Sequence, residues 1–421
     1  MKTAWKNRNL QLYYGGQVVS LVGTWMQQMA LGWLVYRLTN SPFMLGLIGF
    51  SSQAPALLFS PFAGIVADRT NRHRLVLLIQ VLFMLQAALL AALVWTKQEQ
   101  LWQLVLLSAC LGVITAFDLP ARQTFLVDML DDNEQLTSAI GINSSINTLG
   151  RLIGPFVAGL FVAWAGEGIC FLVNAVSYVA VIGALLMVKS KQPAADPSRS
   201  SALSQLKEGF AYTIGFTPIR DLIVFLSLIG LFAMPFAVLM PAFAKDVFHG
   251  NASTLGFLTG ASGAGSLFGA LLLTSRKGTR DLSRWIIAGC VLFGSALITL
   301  GFSTFLPLSL LAVAVIGFGS MILMAGSNTV IQTIVDEDKR GRVMSFVIMA
   351  FMGLSPIGCM AAGAVANLIG VGRTVVATGI LTLALALIFG ARVMRIHLNV
   401  TPEYVKQGIA EEDQEMAVMN K

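Results

Sequence analysis

Charge is the scarcest commodity in this chain. Asp, Glu, Lys and Arg together make up 12% of its 421 residues, while hydrophobic residues make up 56%. Soluble domains carry about twice that charged fraction. The apolar residues fall in long unbroken runs, which excludes an amphipathic globule. Transmembrane β-strands are disfavoured as well, because they alternate polar and apolar residues over about ten positions. Cysteine is sparse: Cys110, Cys170, Cys290 and Cys359 are scattered through apolar runs, with neither a disulfide framework nor metal-ligand spacing. The three histidines, His73, His249 and His397, read as loop or tail residues and form no ligand pair. No Walker sequence or nucleophile–base pair is present, so an enzyme is not expected, and neither a cofactor nor a metal is implied. No cleavable leader is expected at the amino terminus, since the first apolar run is too long and lacks a small-residue cleavage site.

What remains is an all-α integral membrane protein of twelve transmembrane helices. The even number puts both termini on one side. With that side inside, its segments hold 23 of the 28 Lys and Arg residues, which orients both termini to the cytoplasm of an inner or plasma membrane. The net charge of +7 therefore belongs to membrane topology and implies no nucleic-acid partner. Residues 189–219 are rich in Ser, Pro and charge and read as a cytoplasmic linker, with an amphipathic surface helix expected near 203–212. They divide the chain into a six-helix bundle at 1–188 and another at 220–395, followed by a cytoplasmic tail at 396–421. The two halves echo each other. Arg8-Asn9-Leu10 recurs as Arg220-Asp221-Leu222, Leu45-Gly46 as Leu255-Gly256, and spans five and eleven each carry a central proline, Pro155 and Pro356. Two six-helix bundles related by pseudo-two-fold symmetry, with a solute site between them, are an architecture of secondary transporters.

Span five holds the residue hardest to explain as scaffold. Arg151 sits near its middle, with Asn143 and Asn147 at four-residue steps on one helical face. A guanidinium at that depth costs about 2.5–3.5 kcal/mol on insertion scales and so faces a bundle interior or a watery cavity. Two readings stand: a structural ion in a helix seam, or a group on a solute pathway. Around it, Gly150, Gly154, Pro155 and Gly159 allow close backbone approach and locally free a carbonyl.

The segment after span two reads Gly64-Ile-Val-Ala-Asp68-Arg69-Thr-Asn71-Arg72-His-Arg74. Asp68 ends its own helix, where the dipole disfavours an anion. It is expected to find support from nearby arginines, from Arg122, or from the start of span eleven, latching the halves on the cytoplasmic side. The alternative is that Arg69, Arg72 and Arg74 only fix orientation. This segment resembles the signature loop of the major facilitator superfamily, with Asn71 where Gly is usual; Asn tolerates the left-handed turn expected there. Gly150 to Gly159 resembles the superfamily's antiporter motif in span five. Leu119-Pro-Ala-Arg122-Gln123, Arg151-Leu-Ile-Gly-Pro155 and Arg340-Gly-Arg342-Val-Met-Ser345 are similar to the branch holding the enterobactin exporter and macrolide-efflux proteins.

The resemblance implies the major facilitator fold, with spans one, four, seven and ten facing a central cavity. The cavity candidates are then Gln17, Thr24, Gln27 and Gln28 on span one, Ser108 and Thr115 on span four, Asn143, Asn147 and Arg151 on span five, and Ser327 and Asn328 on span ten. Each could instead bond between helices. The glycines of span eight, Gly256, Gly260, Gly263, Gly265 and Gly269, read as close packing, not as a phosphate loop. No carboxylate lies within span one, where many proton-coupled exporters of the superfamily have one; if protons drive transport, Asp118 at the inner end of span four is the best-placed acid, ahead of Asp68 and Asp128. The expected function is an alternating-access secondary transporter, a monomer that exports amphipathic drugs or siderophores against protons. A lysophospholipid or lipid flippase and a metabolite importer are the alternatives.

Overall fold

The computed structural model describes residues 8–129, 133–188, 213, 215–276, 281–335 and 339–406. The expected surface helix at 203–212 and most of the tail lie outside them. Twelve membrane-length helices run in chain order: α1 (Arg8–Thr39), α2 (Pro42–Arg69), α3 (Arg72–Trp95), α4 (Leu101–Asp128), α5 (Asn133–Ala165) and α6 (Glu167–Met187), then α7 (Thr217–Phe232), α8 (Ala252–Ser275), α9 (Leu282–Phe302), α10 (Leu306–Ile334), α11 (Arg340–Ile369) and α12 (Val371–Lys406). Their apolar length is the reason they form: in lipid every backbone group must be satisfied within its own helix. Leu387, in the middle of α12, is 82% exposed, as an apolar side chain turned to lipid would be.

The packing order repeats with a step of six helices. Helix α1 packs on α5 and α6, α3 on α4 and α6, and α2 on α4. Correspondingly, α7 packs on α11 and α12, α9 on α10 and α12, and α8 on α10. Two crossings join the halves, α5 with α8 and α11 with α2, and they too exchange under the same step. This is the pseudo-two-fold arrangement of two six-helix bundles.

Glycine makes both crossings possible. A Cβ at Gly256 would lie 2.9 Å from the Pro155 carbonyl oxygen and 3.0 Å from Gly159 Cα. A Cβ at Gly46 would lie 2.5 Å from the Cys359 carbonyl oxygen and 3.1 Å from Gly363 Cα. The repeat of Gly46 and Gly256 is thus a repeat of contacts. The central prolines are not equivalent, however, because Cys359 stands where Pro155 does and Pro356 falls almost one turn earlier.

Two helices are not plain rods, and one expectation needs correcting. Helix α4 continues through Pro120 to Asp128, and Thr124 Oγ1 donates to the Pro120 carbonyl (2.9 Å). The seventh span is broken. Beyond Phe232 it continues as a 3₁₀ turn over Met234–Leu239, a short turn at Met240–Ala242 and a π turn over Phe243–Val247. Pro235 and Pro241 each withhold a backbone donor there. Asn71 is not left-handed: at φ −63° and ψ 108° it is the N-cap of α3, its side chain accepting from Arg74 N (3.0 Å). A capping Asn satisfies an orphan amide that Gly could not.

Candidate functional site

Helix α5 has four sides, and its neighbours identify them. Gly150 and Gly154 press on α1, where added Cβ atoms would come within 3.1 Å of Trp25 Cδ1 and 2.6 Å of Trp25 Cβ. On another side Leu152, Pro155 and Gly159 meet Gly263, Gly256 and Ala252 of α8. Leu149, Ile153, Phe156 and Leu160 are exposed and apolar, and form the lipid face. At about 100° of rotation per residue, Arg151 falls opposite that lipid face, between the α1 and α8 contacts. Asn147 and Asn143 follow it at one-turn intervals, both exposed. Arg151 and Asn147 therefore lie on the side of α5 away from its lipid-facing residues, between the α1 and α8 contacts, while Asn143 falls nearer the α1 side.

Arg151 has no carboxylate partner among the described residues. Its guanidinium carbon stands 5.9 Å from the centroid of the Trp25 ring. Other arginines behave differently. Arg122 Nε donates to Asp118 Oδ1 (2.6 Å) and its Nη1 donates to Gln17 Oε1. Arg37 Nε donates to Glu167 Oε1 (2.7 Å), tying α1 to α6.

The span-one candidates divide sharply. Gln27 is sealed inside the first bundle, where Asn174 Nδ2 donates to its Oε1 (2.8 Å) and its Nε2 donates to Gln86 Oε1 (2.8 Å). Gln86 Nε2 passes the chain on to the Leu107 carbonyl (3.2 Å), so one amide relay links α6, α1, α3 and α4. Gln17 is buried against Arg122. Thr24 Oγ1 donates to the Ser20 carbonyl (2.9 Å) and lies 3.1 Å from Tyr178 Oη. Ser108 is buried and donates to the Leu104 carbonyl (2.7 Å). Gln17, Gln27 and Ser108 thus have no open surface for a solute, contrary to expectation, because their helix face meets sibling helices. Ser327 is buried too, its hydroxyl without a partner among the described residues. Gln28, Thr115, Asn143, Asn147 and Asn328 are exposed.

Asp118 lies on this buried network as well, bonded to Arg122 and within 3.4 Å of Gln80 Nε2. In the signature loop, Arg69 and Arg74 are exposed, and Gly64 has open space around it. The side chain of Asp68, and with it the proposed latch, lies outside what is described. His73, expected in a loop, instead occupies the first turn of α3. Its ring stacks on Phe125 (5.5 Å) and Nε2 lies 2.9 Å from the Leu185 carbonyl near the end of α6. Sequence reasoning missed it, since nothing local marks its partner 112 residues away.

At the opposite end from the signature loop, polar contacts join the halves. Tyr36 Oη donates to Asp246 Oδ2, Lys245 Nζ donates to Asn40 Oδ1 (2.6 Å), and Ser41 Oγ donates to Asn367 Oδ1 (3.4 Å). Nearer mid-span, Ser355 Oγ donates to Gln53 Oε1 (3.0 Å).

Two six-helix bundles joined at two glycine crossings are an architecture of transporters, and the family comparison agrees. The model of MFS_3, described as transmembrane secretion effector, matches residues 6–410. The chain belongs to this family of the major facilitator superfamily. It is 26% identical to the staphyloferrin A transporter of Staphylococcus aureus over 90% of this chain and 94% of that one. It is 23% identical to macrolide efflux protein A of Streptococcus pyogenes (91% and 96%) and 25% identical to the multidrug efflux pump Tap of Mycolicibacterium fortuitum (89% and 93%). Among solved structures it resembles the nucleoside transporter NupG, with a TM-score of 0.73 and 14% identity over 91% and 98% of the two chains. A bacterial homologue of the lysosomal transporter Spinster, in an inward-facing conformation, gives 0.71 and 16% (92% and 98%). The family and these relatives are transporters, not enzymes, and this chain is a multi-pass membrane transporter of the efflux branch.

Proposed function

We propose that the chain is an alternating-access exporter of amphipathic small molecules. It would work as a monomer in the inner or plasma membrane with both termini in the cytoplasm. The observation that supports this reading is the pair Arg151 and Asn147, on the side of α5 away from its lipid-facing residues and between its contacts to α1 and α8. Polar groups there are expensive unless water or a solute reaches them. The efflux names of its relatives support the direction of transport. Profiling a deletion strain and its complemented partner against macrolides, dyes and siderophores tests it. Unchanged accumulation of every compound would count against export.

Proton coupling would run through Asp118. Its carboxylate is held by Arg122, so binding a proton means releasing that arginine to Gln17 and to water. Such an exchange links protonation to a rearrangement of α4 against α1. Asp118→Asn should abolish transport driven by a pH gradient in proteoliposomes while solute binding stays measurable. Full proton-driven transport by that variant would move the coupling site elsewhere.

A further inference from the structure

We infer that Arg151 is the anchor of an anion subsite, and that the solutes this transporter prefers carry a carboxylate or a similar oxyanion on an amphipathic body. The inference rests on the exporter reading above, since it names the chemistry of that same central cavity.

The first observation is electrostatic. The arginine enclosed within the first bundle, Arg122, has a described acidic partner in Asp118. Arg151 has none among the described residues, and its guanidinium lies against the Trp25 ring. An uncompensated cation in a low-dielectric setting raises the potential of any cavity it reaches. Its fork of N–H donors is shaped for two oxygens at once.

The second observation is the setting. Gly150 and Gly154 hold α5 against Trp25 on one side, and Leu152 is held against Gly263 on the other. The guanidinium is thereby fixed to the remaining side, with little freedom to swing to lipid. Asn147, exposed one turn away, adds an amide donor on the same face. Together the two side chains offer donors to an oxyanion entering from the signature-loop end.

The third observation is asymmetry. In the second half, the place of Arg151 under the α5 to α11 repeat is taken by Ser355, which is bonded to Gln53 across the other crossing. The cation therefore stands on one wall of the seam only. A solute with one anionic end and an apolar remainder would be oriented by it, with the apolar part left to α10 and α11, where Met324 and Met352 lie.

The test uses the purified full-length chain and two probes on one frame, 7-methoxycoumarin-3-carboxylate and its neutral amide, measured by equilibrium dialysis in detergent. The wild type should bind the carboxylate at least about ten-fold more tightly than the amide. Arg151→Gln should erase that preference while amide binding persists, and Arg151→Lys should keep part of it. Should Arg151→Gln fold poorly, Asn147→Asp provides the second arm. It adds a carboxylate at an exposed position one turn from the guanidinium, without removing packing, and should also erase the preference. A wild type that binds neither probe, or both equally, overturns the subsite. So does a preference that survives Arg151→Gln or Asn147→Asp. The exporter reading is judged separately, in the deletion-strain profile: efflux there without carboxylate preference overturns the subsite alone.

Discussion

Replacing Gly256 by valine should push the transporter toward a state in which α5 and α8 separate. The nearest atoms to the new Cβ would be the Pro155 carbonyl oxygen at 2.9 Å and Gly159 Cα at 3.0 Å. Both are backbone, so no side chain can turn aside and the two helices must part by some tenths of an ångström or more. Overpacking of this kind costs about 1–3 kcal/mol. Because α5 and α8 belong to different halves, that cost falls only on conformations in which the halves touch there. The conformational ratio should then shift about 5- to 150-fold. Spin labels at Gln98 and Arg373, exposed positions on the two halves at the end opposite the signature loop, would report the shift as longer distances. Cys110 is exposed and is replaced by serine first. Gly265→Val is the control, since its Cβ would collide with the Ala314 carbonyl of α10 in the same half. It should lower thermal stability in every conformation and leave the label ratio unchanged. An unshifted distribution with normal transport in Gly256→Val, or identical behaviour of the two variants, would refute this reasoning.

Two further perturbations address other contacts. Gln27→Leu breaks the relay from Asn174 to Gln86 and leaves a buried donor and a buried acceptor unpaired. A loss of about 1–3 kcal/mol is expected, read as lower thermal stability in detergent with an unchanged substrate profile; an altered profile at normal stability would instead make Gln27 a solute contact. Tyr36→Phe removes the bond from α1 to Asp246 in the π turn. A hydrogen bond to a charged group contributes about 1.5–3 kcal/mol, so the same label pair should show this end opening more than ten-fold more often, and an unchanged distribution would exclude the bond from closure.

The fold was legible because its dominant cause is local. A run of apolar residues long enough to cross a bilayer forms a helix whatever its neighbours are, and the Lys and Arg asymmetry orders the loops. The repeat was legible at Gly46 and Gly256, where a contact demands the absence of a side chain. It misled at Pro155 and Pro356, because a proline reports on its own helix and does not specify a partner. The break in α7 has the same origin. Pro235 and Pro241 signal that donors are missing, but whether the helix kinks, tightens to 3₁₀ or widens to π depends on what packs beside it.

The site was only half legible, and the reason is instructive. Periodicity assigns side chains to one face of a helix but does not reveal what that face meets. Gln27 and Gln28 are sequence neighbours of the same type; one is fully bonded inside a bundle and the other is exposed. What distinguishes them is Asn174 and Gln86, brought to α1 from 147 and 59 residues away. An amide can be satisfied by another amide, so a glutamine in a span gives no warning about its surroundings. A guanidinium is more demanding. It cannot shed its proton, and with no acid nearby it must meet water, a ring face or a ligand. That is why Arg151 is expected from sequence alone to face an interior or a cavity, whereas Arg122, near the end of α4, could not be recognised as spoken for until Asp118 and Gln17 stood beside it. The glycines of α8 carry the same ambiguity: Gly256, Gly260 and Gly263 face α5 of the other half, while Gly265 and Gly269 face α10 of their own. The stripe is continuous in sequence, yet its first part borders a joint between the two halves and its second part a seam within one half.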